Sequence, residues 1–95
     1  MNYRVIWIPR AVLLLNTLWL AAPASERAAM TAAALTIDHN LAAASHATGR
    51  HIFDTLYEYD YPPLGVEFEV IDADQQVLVL TCWHTATGRP RVTGN

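Results

Sequence analysis

The chain has 95 residues, which is room for one hydrophobic core and no more. Hydrophobic residues make up 53% and charged residues 16%, a balance that excludes intrinsic disorder. The formal net charge is −3 with no lysine at all, and one cysteine, Cys82, excludes an internal disulfide and any multi-cysteine metal site.

The charge is unevenly placed. The cations are Arg4, Arg10, Arg27, Arg50, Arg89 and Arg91, so none falls between residues 51 and 88. That same span carries Asp54, Glu58, Asp60, Glu67, Glu69, Asp72 and Asp74. Gripping a nucleic-acid backbone takes clustered cations that displace counterions, so no direct binding of duplex nucleic acid is expected.

Taken in chain order, "YRVIWI" at 3 to 8 has the β-branched and aromatic make-up of a first strand. Pro9 suits a helix start, and "PRAVLLLNTLWLAA" reads as helix one. Ala11, Leu14, Leu15, Leu18 and Ala22 fall at helical spacing on its buried face, which Leu13 and Trp19 widen. A competing reading makes residues 1 to 24 a secretory leader, with Arg4 and Arg10 as the charged start and "APA" at 22 to 24 as the cleavage site. Cleavage would leave about 70 residues without a staple, a marginal domain, so strand and helix are preferred. The apolar run is also too short to span a bilayer, and no membrane association is expected.

Ser25 is the expected N-cap of helix two, which runs to about Ala44. Met30, Ala34, Ile37, Leu41 and Ala44 line one of its faces, a core stripe. "HATGR" at 46 to 50 is a loop, and "HIFDTLYEY" at 51 to 59 reads as strand two. "DYPP" bends the chain into strand three, where Leu64, Val66, Phe68 and Val70 face one way and Gly65, Glu67 and Glu69 the other. "DADQ" at 72 to 75 is a turn, and "VLVLTCWH" is apolar on both faces, as suits a central strand. Residues 1 to 84 thus form a single domain, and 85 to 95 a polar, mobile tail. The expected fold is a two-layer α+β domain of order β-α-α-β-β-β, with a helical hairpin on one face of a mostly antiparallel sheet.

With "YRVIWIPRA", the two-helix hairpin and "PLGVEFEVIDADQQVLVLTCWH" in view, the chain resembles the RelE/ParE toxins of type II toxin–antitoxin systems over roughly residues 2 to 84. The resemblance implies a cytoplasmic toxin neutralised by a cognate antitoxin and acting on ribosome-bound mRNA or on DNA gyrase. The family's mRNA endonucleases carry cations on the sheet strands. Here the matching strand two holds Asp54 and Glu58, Gly65 stands where an arginine is expected, and His84 ends the last strand where a basic residue is expected. Developing charge on a phosphate needs cationic or donor partners, so this pattern disfavours the nuclease action. A non-enzymatic interaction domain that keeps the fold without toxicity is the alternative, beside a small secreted protein.

His84, Glu69, Glu67 and Arg50 are the candidate catalytic residues. A histidine suits proton transfer at neutral pH, and a glutamate can serve as general base. The plainer reading makes His84 a solvated strand end and the two glutamates the wet face of an alternating strand. Tyr57, Tyr59 and Tyr61 could stack bases, but without neighbouring cations packing is the better expectation. His39, His46 and His51 match no zinc spacing, so no metal and no cofactor are expected. An acidic toxin calls for a basic or largely apolar antitoxin segment, laid along a sheet edge or in a groove.

Overall fold

The structure, a computed structural model, describes residues 2–88. The chain runs through β1 (Arg4–Trp7), α1 (Pro9–Ala21), α2 (Ala24–Ala44), β2 (Arg50–Phe53), β3 (Leu56–Tyr61), β4 (Leu64–Ile71), one 3-10 turn (Asp72–Asp74) and β5 (Gln76–His84). The strands make a single five-stranded sheet in the order β1-β5-β4-β3-β2. β1 pairs with β5 in parallel and every other pairing is antiparallel. This is the expected α+β architecture, with one strand more than the sequence suggests.

The extra strand comes from splitting residues 51 to 59. Asp54 takes a left-handed conformation, φ 56°, which an extended strand does not allow and which short polar residues tolerate best. The chain therefore reverses at Asp54–Thr55, and Phe53 pairs with Leu56 across the turn. β5 lies between β1 and β4, the interior position its two-faced apolar character calls for.

The core sits between the sheet and the helices. From β4 it takes Leu64, Val66, Phe68 and Val70, the alternate set read from the sequence; β5 adds Val77, Val79 and Cys82. A register shift between Glu67 and Phe68 leaves Leu80 as an extra residue, so inward positions on β5 move from odd to even numbers. The helices add Ala11, Met30, Ala33, Ile37 and Leu41. Phe68 is fully buried, and truncating such a side chain costs about 3–5 kcal/mol.

Three details of the helices differ from expectation. α2 begins at Ala24 directly after Pro23, so Ser25 lies inside the first turn and makes no cap. Ala44 is exposed, and Ala33 takes the buried place beside Ala34. Leu13 and Trp19, expected to widen the buried face, are exposed at 66% and 36%, because α1 is apolar around more of its circumference than the sheet can cover. Residues 4 to 21, weighed as part of a leader, form β1 and α1, and α1 packs on β5. After β5, Thr85 N–H donates to Pro63 O, and the amides of Thr87 and Gly88 donate to His84 O. Residues 85–88 are thus a hydrogen-bonded turn, and the remainder of the expected tail lies outside the described residues.

Candidate functional site

Directly paired residues in a sheet share a face, so the register assembles the face opposite the helices row by row. One row runs Ile6–Leu78–Glu69–Leu56–Phe53 across all five strands. The next runs Thr81–Glu67–Glu58–Arg50, and beyond it Trp83–Gly65–Asp60. Three of the four sequence candidates, Arg50, Glu67 and Glu69, therefore lie together on this open face.

The electrostatics of the face follow from those rows. Four carboxylates, Glu58, Asp60, Glu67 and Glu69, occupy its β3 and β4 strands. The cations Arg4 and Arg50 stand at its opposite edges. The Arg50 guanidinium hydrogen-bonds Glu58 Oε1, and that carboxylate pushes its pKa further up. Thr55 Oγ1 donates to Glu69 Oε2 at 2.8 Å, bracing the turn against β4. Gly65 is buried, and a Cβ there would land against the Trp83 indole and the Asp60 carboxylate, so only glycine fits beneath them. A phosphate approaching the middle of this face meets carboxylates of its own sign.

His84 stands elsewhere. It pairs with the inward-facing Leu64, and its Nε2 approaches Glu26 Oε1 of α2 at 3.4 Å. Its Nδ1 accepts the Ala86 N–H at 3.0 Å, which leaves the ring proton on Nε2 for Glu26. The pairing of His84 with Glu67 or Glu69 as acid and base is not assembled. The tyrosines are also divided. Tyr57 stacks on Phe68 at a ring separation of 5.4 Å, Tyr59 accepts a hydrogen bond from Asn40 Nδ2 at 3.1 Å, and Tyr61 is exposed.

The fold builds a second cluster that no sequence spacing announces. Tyr3 hydroxyl donates to Asp72 Oδ1 at 2.5 Å, and His46 Nε2 meets the same oxygen at 2.6 Å. His46 Nδ1 then accepts from the Tyr57 hydroxyl at 3.1 Å. The Tyr3 hydrogen bond, with that of His46, holds the Asp72 carboxyl below the usual range, and Asp72 in turn pushes the Tyr3 phenol up. Four separate segments meet here, so only tertiary structure reveals the cluster. It ties β1, the loop after α2, β3 and the β4–β5 turn together. Cys82 is no nucleophile, since burial pushes its thiol up to about 11 and its Sγ faces Ala11 O at 3.7 Å. Among the described residues no three His, Cys, Asp or Glu side chains gather as a metal site, and no helix is long and apolar enough to cross a membrane.

No family model matches the chain. No curated protein matches it either. Solved structures do. The RelBE2 toxin–antitoxin complex of Mycobacterium tuberculosis aligns with TM-score 0.73 at 15% identity, over 90% of this chain and 94% of that one. A double arginine-to-alanine mutant of the E. coli toxin RelE in the free state aligns with TM-score 0.60 at 14% identity, over 92% and 87%. The intact E. coli RelBE toxin–antitoxin complex aligns with TM-score 0.57 at 15% identity, over 94% and 99%. By its helical hairpin, its mixed five-stranded sheet and the near-complete overlap of both chains, this protein carries the RelE-like fold that its first strand and last hairpin resemble.

Proposed function

We infer that the chain is a toxin-like component of a type II toxin–antitoxin pair, cytoplasmic and neutralised by a cognate antitoxin. The observation that carries this reading is the match over nine-tenths of the chain to proteins solved as toxin–antitoxin complexes. Those neighbours align over 90% and 94% of this chain.

Between the two modes of action, the open face favours contact with a protein target, of which DNA gyrase is the one the family offers, over cleavage of ribosome-bound mRNA. A phosphoryl-transfer site stabilises the charge that develops on the scissile phosphate with cations or donors. Here the interior of the face is occupied by Glu58, Asp60, Glu67 and Glu69, and the Arg50 guanidinium is bound to Glu58. Glu69 and Glu67 can accept a proton, but carboxylates of their own sign surround them and repel the substrate that would supply it.

The test is growth after induced expression of the full chain, alone and with the adjacent small reading frame. Arrest that the neighbour relieves supports a toxin, and mapping of RNA 5′ ends then separates the modes. A protein-contact toxin leaves the cleavage pattern unchanged, and new cuts on ribosome-bound mRNA would reverse the preference. Unimpaired growth with soluble protein would leave an interaction domain that has the fold without the toxicity.

A further inference from the structure

The helical hairpin turns an uncharged face outward. Between Arg10 and Glu26 the sequence has no charged residue, and between Arg27 and Asp38 there is again none. Among the described residues, five of the seven exposed large apolar side chains, Val12, Leu13, Trp19, Leu20 and Leu35, sit on α1 and α2. Leu20 and Leu35 are 67% and 68% exposed, and α2 sets exposed alanines at 28 and 32 beside them. The two charges at the join are engaged: Arg27 lies over the Trp19 ring and Glu26 reaches His84 of β5. Between the helices opens a cleft of about 250 Å³, lined by Leu15, Trp19, Met30 and Leu35. A helix that is apolar around its whole circumference needs cover on both sides, and the sheet supplies only one.

We propose that this face is the interface of a symmetric dimer, and that what covers it is the α1–α2 face of a second copy of the chain. α1 has 13 residues and is about 20 Å long, and two helices side by side are about 20 Å wide. That outline is about 400 Å² for each copy before side-chain relief is counted, and two copies together approach the roughly 1,000 Å² of a specific interface. Leu13, Leu20 and Leu35 project and the cleft is recessed, so a two-fold axis offers the leucines of each copy to the cleft of the other. The small side chains of α2 let the facing helices approach to about 8 Å. Charge selects the occupant. A basic or acidic segment would carry charges that nothing on this face answers, whereas a second copy brings an equally neutral surface. The net charge of −3 does not oppose the pairing. Layered sheet–helix–helix–sheet at about 10 Å per step, the dimer turns its two acidic sheet faces outward about 30 Å apart, several Debye lengths at physiological salt. Association through the sheet faces would instead set carboxylate against carboxylate. The dimer holds whether or not the chain is toxic.

Sedimentation velocity on the full chain decides, run from about 1 to 100 µM, the weak end of the range for an interface of this size. The mass is expected to reach twice the 10.5 kDa of the chain and to stop there, because a two-fold contact closes on itself. Raising the salt to about 1 M leaves the dimer intact, as an uncharged contact requires. Leu20→Glu and Leu35→Glu alter exposed side chains, so far-UV circular dichroism stays that of the wild type while the dissociation constant rises at least about tenfold. Phe53→Glu, at an exposed position on the opposite side of the sheet, leaves the dimer unchanged. A monomer at every concentration, a mass that climbs without limit, a dimer indifferent to both leucine variants, or one lost with Phe53→Glu overturns the proposal. So does a monomer that binds the product of the adjacent reading frame, or neutral phosphatidylcholine vesicles, through the same leucines, since the face then belongs to that occupant.

Discussion

Asp72 receives hydrogen bonds from two groups, the Tyr3 hydroxyl and His46 Nε2. Its carboxyl is held down in the folded state, so the folded chain binds fewer protons there than the unfolded one. The stability this adds is complete above the unfolded value of about 3.9 and is lost as the pH falls through the lower folded value. Tyr3 works in the opposite direction, since its phenol is pushed up. Its share is complete below about 10 and is lost as the pH rises through the higher folded value. Urea midpoints measured from pH 6 down to pH 3 should therefore fall for the wild type and fall less for Asp72→Asn; superimposable slopes would sink the idea. None of this was legible beforehand, because Tyr3, His46, Tyr57 and Asp72 have no common spacing. Glu67 and Glu69 were legible as a wet face, since strict alternation with Val66, Phe68 and Val70 leaves them no other side. Arg50 was not, because its partner Glu58 depends on a hairpin register that the residues alone do not specify.

At the scale of elements, the join between α1 and α2 rests on Arg27. Its Nε donates to Trp19 O at 3.0 Å, which also accepts the Ala22 N–H at 3.3 Å, and its Nη2 donates to Leu20 O at 3.1 Å, both carbonyls of the last turn of α1. The guanidinium also lies over the Trp19 ring, 4.5 Å from its centroid. A cation at a helix C-terminus complements the dipole there, and the planar fork reaches two carbonyls at once. Arg27→Ala should cost about 1–2 kcal/mol in denaturant unfolding, and Arg27→Lys should recover only part of it. Equal stability of all three proteins would show the contact to be idle. The elements themselves were mostly visible: Pro9 at the start of α1, the alanine-rich α2 and the β4–β5 hairpin each carry a strong local signal. The β2–β3 turn hid because Asp54–Thr55 interrupts no apolar alternation, and α2 began early because Pro23 already supplies a helix-compatible φ of −59°.

For the whole molecule, charge decides more than any one contact. Four of the nine carboxylates lie on the sheet face, the sequence pI is about 5.7, and residues 51 to 88 contain no cation. At pH 7 and low salt the protein should pass a heparin column unretained and bind an anion exchanger. Retention on heparin that weakens steeply with salt would instead expose a phosphate-binding surface. The fold class was readable from the order of elements, and so was the side of the sheet that holds the core. The rows across the outer face were not, since pattern alone places residues in or out but does not show which outward residues become neighbours.

β5 occupies the interior of the sheet and is made last. Arg4 pairs with Gln76 and Trp7 with Val79, so the first strand waits through nearly the entire synthesis of the chain for its partner. Until then the inward faces of β1 and α1 have no sheet to lie on, and β2, β3 and β4 can form only a meander with both edges open. A message cut short before residue 76 would yield no partly active domain. It would release two halves without the strand that unites them in one sheet, each with bare apolar surface and each a substrate for proteolysis.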